Sequence, residues 1–307
     1  MRLTFLVSVL LSSSLLACSW TSEGGLTGRH ESATDALQES PPDSWDGAPV
    51  RIVNHHGSIE IVGVPGKTNI GVRARFVAGA NSEADAEAAF ADMAETAITI
   101  EHAAGEWSVR CTQASAWHGS VAPESTGCTS LRVEVPSGSV EAPLEIVGRA
   151  EYGGIHASGV HVRALDLEAP FGLVADVTPT ADAALRLWGT PLASGMCSSI
   201  LRLPSNAAIA AVKLDVEHPE IRYADADPDD RRWWNGVDIV GFVDAPSVAP
   251  RTGSISWQRG TTPFAVGSAA VHASLGKAVL TTEPAPPADP FNNCQYQEPV
   301  GVELGSP

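Results

Sequence analysis

From Val50 onward the chain is written in short stretches where apolar and polar residues alternate. Val50-Arg51-Ile52-Val53-Asn54 and the run from Ser58 to Val64 are rich in β-branched residues and change character at nearly every position, which predicts two strands joined by a turn at Gly57. A third strand is predicted from Asn69 to Phe76, after the Pro65-Gly66 turn. The period then changes. Asn81 and Ser82 precede a run in which Ala86, Phe90, Met93 and Ala97 fall at helical spacing, with acidic residues in its first turns, so one short amphipathic helix is expected over about 82–95. Strand patterns resume at 97–102, 107–112 and 131–135, and again at 183–188, 209–216 and 236–243.

A loose repeat runs through these strands. Gly57-Ser58-Ile59-Glu60-Ile61 is echoed by Gly153-Gly154-Ile155-His156-Ala157, Gly172-Leu173-Val174-Ala175-Asp176, Gly253-Ser254-Ile255-Ser256-Trp257 and Gly276-Lys277-Ala278-Val279-Leu280. Each is a glycine turn followed by a strand. Gly153 and Gly172 stand 19 residues apart, close to one coil of a parallel β-solenoid, in which each turn of chain buries its inward side chains against the next. The fold class is therefore all-β, with a β-solenoid or β-roll as the expectation. A β-sandwich also spaces its turns regularly and is the alternative.

The segments flanking this region read differently. Residues 1–17 carry Arg2, an apolar run from Leu3 to Leu16 too short to span a bilayer, and a small Ala17, which together read as a signal peptide. Leu15-Leu16-Ala17-Cys18 resembles the lipobox of bacterial lipoproteins, in which the cysteine is alkylated by lipid, becomes the new N-terminus and is N-acylated. Three acyl chains on Cys18 imply a lasting membrane anchor, because two lipid signals already suffice for one. Residues 18–49 show no apolar period and read as a lipid-anchored flexible tether. Residues 50–283 are the expected domain, and 284–307, with many prolines, the expected tail. Ser19, following the lipidated cysteine in place of an aspartate, resembles the signal for outer-membrane delivery, so the expected location is the cell envelope.

The formal charge of −17 argues against nucleic acid as a partner, since an acidic surface repels phosphate backbones. With Cys18 assigned to lipid, Cys111, Cys128, Cys197 and Cys294 remain as an even set in an oxidising compartment, which points to two disulfides. Three connectivities are open. Cys111 and Cys128 flank one short excursion, which favours Cys111–Cys128 with Cys197–Cys294, the latter stapling the tail to the body. Zinc is the rival use of these thiols, and the Cys-x-x-Cys and His-x-x-x-His spacings that would support it are missing.

Asn54-x-x-Gly57-Ser58-Ile59-x-Ile61-x-Gly63, the helix after it, the Val135-Pro136-Ser137-Gly138 step and the later glycine-strand repeats resemble the bacterial putative-adhesin family of β-helical envelope proteins. The resemblance covers residues 50–180 and, more weakly, the repeats at Gly253 and Gly276; the segment 190–250 departs from it. It implies a right-handed parallel solenoid with a short helix packed on it. It brings no catalytic residues.

Candidate chemistry is sparse. Asp225, Asp227 and Asp229, with Asp230, supply clustered oxygens such as calcium requires, but the EF-hand spacing is missing, Pro228 restrains the loop, and Arg231 and Arg232 offset its charge. A solvated turn is the expectation there, and no metal site. Trp233-Trp234 is the candidate partner-binding pair, since adjacent residues on a strand face opposite sides and one indole is left to stack on a sugar or anchor a protein. Trp107, Trp117, Trp188 and Trp257 extend the aromatic set, and His55-His56 and the dispersed histidines, His156 among them, show no ligand spacing. Neither Gly-x-Ser-x-Gly before a helix nor Gly-x-Gly-x-x-Gly occurs, so neither catalysis nor a cofactor is expected. The leading reading is a non-enzymatic envelope lipoprotein that binds a protein or glycan partner. The alternatives are a glycan hydrolase with carboxylates assembled across coils, and a purely structural envelope protein.

Overall fold

The computed structural model describes residues 19–20, 26–27, 30–80, 82–93, 97–111, 126–190, 196–207, 209–219, 235–249, 252–258, 267–274, 276–283 and 294–295. β1 (Ser19–Trp20) pairs with β2 (Leu26–Thr27). β3 (His30–Glu39), β4 (Val50–Asn54), β5 (Ser58–Val64) and β6 (Gly71–Ala80) precede the helix α1 (Glu83–Met93). After it come β7 (Ile98–Ala103), β8 (Glu106–Cys111), β9 (Thr126–Pro136), β10 (Leu144–Ala150) and two long strands, β11 (Ile155–Ala169) and β12 (Leu173–Gly189). β13 (Met196–Cys197), β14 (Ser199–Arg202), β15 (Ala211–Val216), β16 (Gly236–Val240), β17 (Ser254–Gln258), β18 (Ser268–Ala273), β19 (Lys277–Thr281) and β20 (Cys294–Gln295) follow.

Sixteen of these strands form one mixed sheet in which most pairs are parallel. It divides into two ladders. The first runs β7, β8, β4, β10, the second half of β11, the second half of β12, β18, β15, β17. The second runs β3, β6, β9, β5, the first half of β11, the first half of β12, β14, β19, β16. β11 and β12 thus belong to both. The crossing in β11 falls at Gly159, whose φ of +69° lies in the left-handed region that side-chain-bearing residues avoid, and the β11–β12 register slips between Ser158 and Val160.

The inward positions of the two ladders make one core. On the first, Val50, Ile146, Leu165, Leu185, Ala269 and Val212 are successive register partners and all buried. On the second, Ile59, Ile155 and Leu173 do the same. The two sets meet: a Cβ built on Gly148 of β10 would lie 2.8 Å from Leu167 and 3.3 Å from Ile155. Burying each large aliphatic side chain contributes about 1.5–3 kcal/mol, so these rows supply the main driving force. At the turns the stack is so close that a Cβ on Gly153 would fall 2.1 Å from the carbonyl oxygen of Gly57.

The glycine-strand repeat marks rungs of the second ladder, with one exception. Gly57, Gly153, Gly172 and Gly276 precede strands that lie in it, whereas Gly253 precedes β17, an antiparallel edge strand of the first ladder. Residues 30–39 are β3, in unbroken antiparallel register with β6, and Trp45 and Ala48 pack on the core. β3 escapes the hydrophobic pattern because its backbone bonds to β6 hold it while its alternate side chains are small or solvent-facing. The helix is 11 residues long, capped by Ser82, whose hydroxyl accepts from the amide of Asp85 at 3.2 Å. Ala86 and Ala89 are buried and Phe90 stacks near Phe76; Ala97 lies beyond the helix and is buried in the core.

Candidate functional site

Cys18, Asp225, Asp227, Asp229, Trp117, Trp233 and Trp234 lie outside the described residues. Cys111 and Cys128 form a disulfide, as their positions predict. It joins the last residue of β8 in the first ladder to β9 in the second. Cys197 is also disulfide-bonded, and Cys294 is its register partner across β13 and β20. Among the described residues no group of three or more His, Cys, Asp or Glu side chains is arranged to hold a metal ion, and no helix is long and apolar enough to cross a membrane. Trp107 and Trp257 are committed to the core.

The middle of the first ladder's outward face, across β10, β11 and β12, carries an ion-pair network. Arg149 and Arg186 both reach Asp166, at 2.5 and 2.7 Å, and both also approach Glu168, at 3.6 and 3.5 Å. Burial works against a charge on Asp166, but the hydrogen bonds from the two arginines outweigh it and hold its carboxyl below the usual range. In the neighbouring strands Trp188 stacks on His272 with ring centres 3.9 Å apart, and the Arg186 guanidinium lies 4.8 Å from the indole centre. His272 Nδ1 is 3.1 Å from Asp215, and Ser274 donates to Glu217 at 2.6 Å. The buried Nε2 of His272 has no hydrogen-bond partner among the described residues, Glu217 lying 3.5 Å away; the rest of the row is paired and reads as structural.

The outward face of the second ladder is open. Here a groove of about 680 Å³ crosses β3, β6, β9, β5 and β11. Its floor is one row of register partners, Leu37, Arg73, Arg132, Glu60 and His156. The row beside it, Asp35, Arg75, Ser130 and Ser58, carries two short hydroxyl side chains, and that shortness opens the depression. Arg132 is held by Glu60 at 2.8 Å and Glu134 at 3.4 Å. Arg73 stands two-thirds exposed, its contact with Glu134 stretched to 3.9 Å. Arg75, nearly half exposed, lies 3.7 Å from Asp35.

At the end of the row His156 is 7% exposed, and its Nδ1 has no hydrogen-bond partner among the described residues. A buried ring nitrogen left without a partner is costly, and this one is sealed from the groove as well as from its neighbours. Burial pushes the His156 pKa down, against the pull of Glu60 and Asp176, so the ring is neutral at pH 7 and offers one donor and one acceptor nitrogen. Arg202 pairs with Asp176 on the adjoining row.

None of these groove residues stands out as a motif in the sequence. The signal that would have found them is the polar half of the alternation: Arg73 and Arg75, Arg132 and Glu134, and Glu60 occupy the outward positions of three strands that turn out to be neighbours. No protein-family model matches the chain, and no curated protein does either. Among solved structures, a putative cell adhesion protein from Clostridium sporogenes is similar over 81% of this chain and 99% of its own, at 13% identity and a TM-score of 0.41. A putative adhesin from Bacteroides fragilis is similar over 80% of this chain and 97% of its own, at 8% identity and a TM-score of 0.25. At these scores neither likeness assigns the chain to a family.

Proposed function

We propose that the chain is a non-enzymatic cell-envelope lipoprotein, anchored through Cys18 and delivered to the outer membrane, which binds a protein or glycan partner in the groove across β3, β6, β9, β5 and β11. The observation that carries the binding reading is a groove of ligand size across five strands, with the two-thirds exposed Arg73 in its lining. Hydrolysis is the weaker reading. A glycosidase needs one carboxyl raised to serve as acid, whereas the carboxylates with shifted pKa among the described residues, Asp46, Glu141 and Asp166, all move down. The fold we read as a right-handed β-solenoid; what supports this is the parallel register and the way β11 and β12 each contribute to both ladders. The second disulfide we assign to Cys197 and Cys294, supported by their register.

Two measurements test this. Ser130→Trp would fill the groove from an exposed position, so cells producing the variant should lose adhesion to a partner-coated surface while its melting temperature is unchanged. Adhesion equal to that of the unaltered chain would remove the groove from the function. Cys18→Ser should move the protein from the membrane fraction to the soluble envelope fraction without unfolding it, and persistence in the membrane would overturn the anchor.

A further inference from the structure

The groove's side chains specify more than a generic partner. Three arginines, Arg73, Arg75 and Arg132, line it against Asp35 and Glu60, with Glu134 beside Arg73 and Arg132, so cations are concentrated here in a chain whose net charge is −17. Arg132 is already engaged by Glu60 and Glu134, so the cation offered outward is Arg73, with Arg75 two residues along the same strand and on the same face. A guanidinium in this position matches a carboxylate through paired N–H donors. The remaining lining is suited to hydroxyl groups: Ser58, Ser130, Glu60 and the neutral ring of His156 provide both donors and acceptors.

Along the middle of the groove backbone recognition is closed off, and only β3 at its border is an edge strand. β6, β9 and β5 each have a strand on both sides, so their amides and carbonyls are spent in the ladder, and a ligand lying across them meets side chains only. A peptide gains most at a sheet edge, where main-chain bonds are free. A ligand that presents hydroxyls and a carboxylate to side chains across strands, over four steps of about 4.8 Å, is better matched by a saccharide.

We propose that the groove binds a carboxylate-bearing saccharide, with Arg73 holding the carboxylate and Ser58, Ser130 and the His156 ring beside its hydroxyls. This rests on the binding reading above and names its ligand class. Calorimetric titration of the full-length chain in detergent, at low salt, with trigalacturonate, maltotriose and hexaglutamate tests it. Trigalacturonate should bind, maltotriose at least about tenfold more weakly, and Arg73→Gln should cost about tenfold for trigalacturonate while leaving the weak maltotriose affinity alone. Arg73→Lys should recover part of the loss. His156→Gln should weaken both sugars, and Ser130→Trp, folded by its melting curve, should abolish both.

Equal affinity for the two sugars, unmoved by Arg73→Gln, would overturn the acidic ligand and leave the groove as a binding site. Binding of hexaglutamate in an Arg73-dependent way, without trigalacturonate, would overturn the saccharide. Silence towards all three probes would overturn this ligand class, while the adhesion of the Ser130→Trp variant judges the groove's role separately.

Discussion

The two outer faces of the stack draw on the same alphabet of Arg, Asp, Glu and His. On the first ladder Asp166 is clasped by two arginines, Trp188 lies against His272, and Asp215 and Glu217 flank that ring from the neighbouring strand. On the second, Arg73 projects with a 3.9 Å contact and His156 keeps a buried nitrogen without a partner. Charge content does not separate them. What does is side-chain length in the adjoining row: Trp188 and His272 complete the surface of the first face, while Ser58 and Ser130 leave a trough in the second. Polar groups that pair along a row close one surface, and the same kinds of group spaced by serines leave a trough in the other.

The disulfide between Cys111 and Cys128 is the place to break that contrast most forcefully, because it ties the ladder of one face to the ladder of the other. The bridged cysteines are 17 apart in sequence, and replacing both by serine should cost about 3 kcal/mol in denaturant unfolding. Hydrogen exchange should then quicken in β9, a strand of the groove, before it does in the second half of β12. Equal quickening in both would mean that the faces do not open independently.

Within one face the expected effects are smaller. Trp188→Ala removes the stack on His272 and the Arg186 contact, and should lower stability by about 2 kcal/mol. Arg73→Gln on the other face should change it by less than about 0.5 kcal/mol, since it deletes one long, exposed contact. Paired thermal melts decide the matter, and a large loss at Arg73 would show that the open face is structural too.

Acid provides the gentlest test. The folded chain holds His156 neutral, its pKa depressed first by burial, with Glu60 and Asp176 opposing and themselves paired to Arg132 and Arg202. The unfolded chain takes up this proton at the ordinary imidazole pKa and the folded chain only below it. Stability should therefore fall as pH drops from neutrality through that interval and level off once the folded ring is also charged. His156→Gln should flatten this part of the profile, and an unchanged slope would place the acid sensitivity elsewhere.

Much of the stack was legible in advance. The apolar half of each alternation located β4, β5, β6, β8 and the glycine-led strands, because burial on one side writes a period of two into the residues. β3 was not legible, since its hold on the fold is through backbone hydrogen bonds that leave no mark on side-chain type. Gly253 misled because a glycine turn looks alike before a parallel rung and before an antiparallel edge. The groove was hidden for a related reason. Arg73, Arg132, Glu60 and His156 come from four strands, and only the register brings them into one row.

One consequence of the strand order concerns how the molecule is made. β18 and β19, near the end of the chain, are not the last rungs in space; they stand between β12 and β14 on one side and β15 and β16 on the other. The polypeptide cannot simply wind up from start to finish, because β15 and β16 have no parallel partner until β18 and β19 arrive. The late segment is a keystone. A chain cut short before residue 268 would lack an inner rung, and the apolar flank of β12 and β14 would be left open to water or to another molecule's strand.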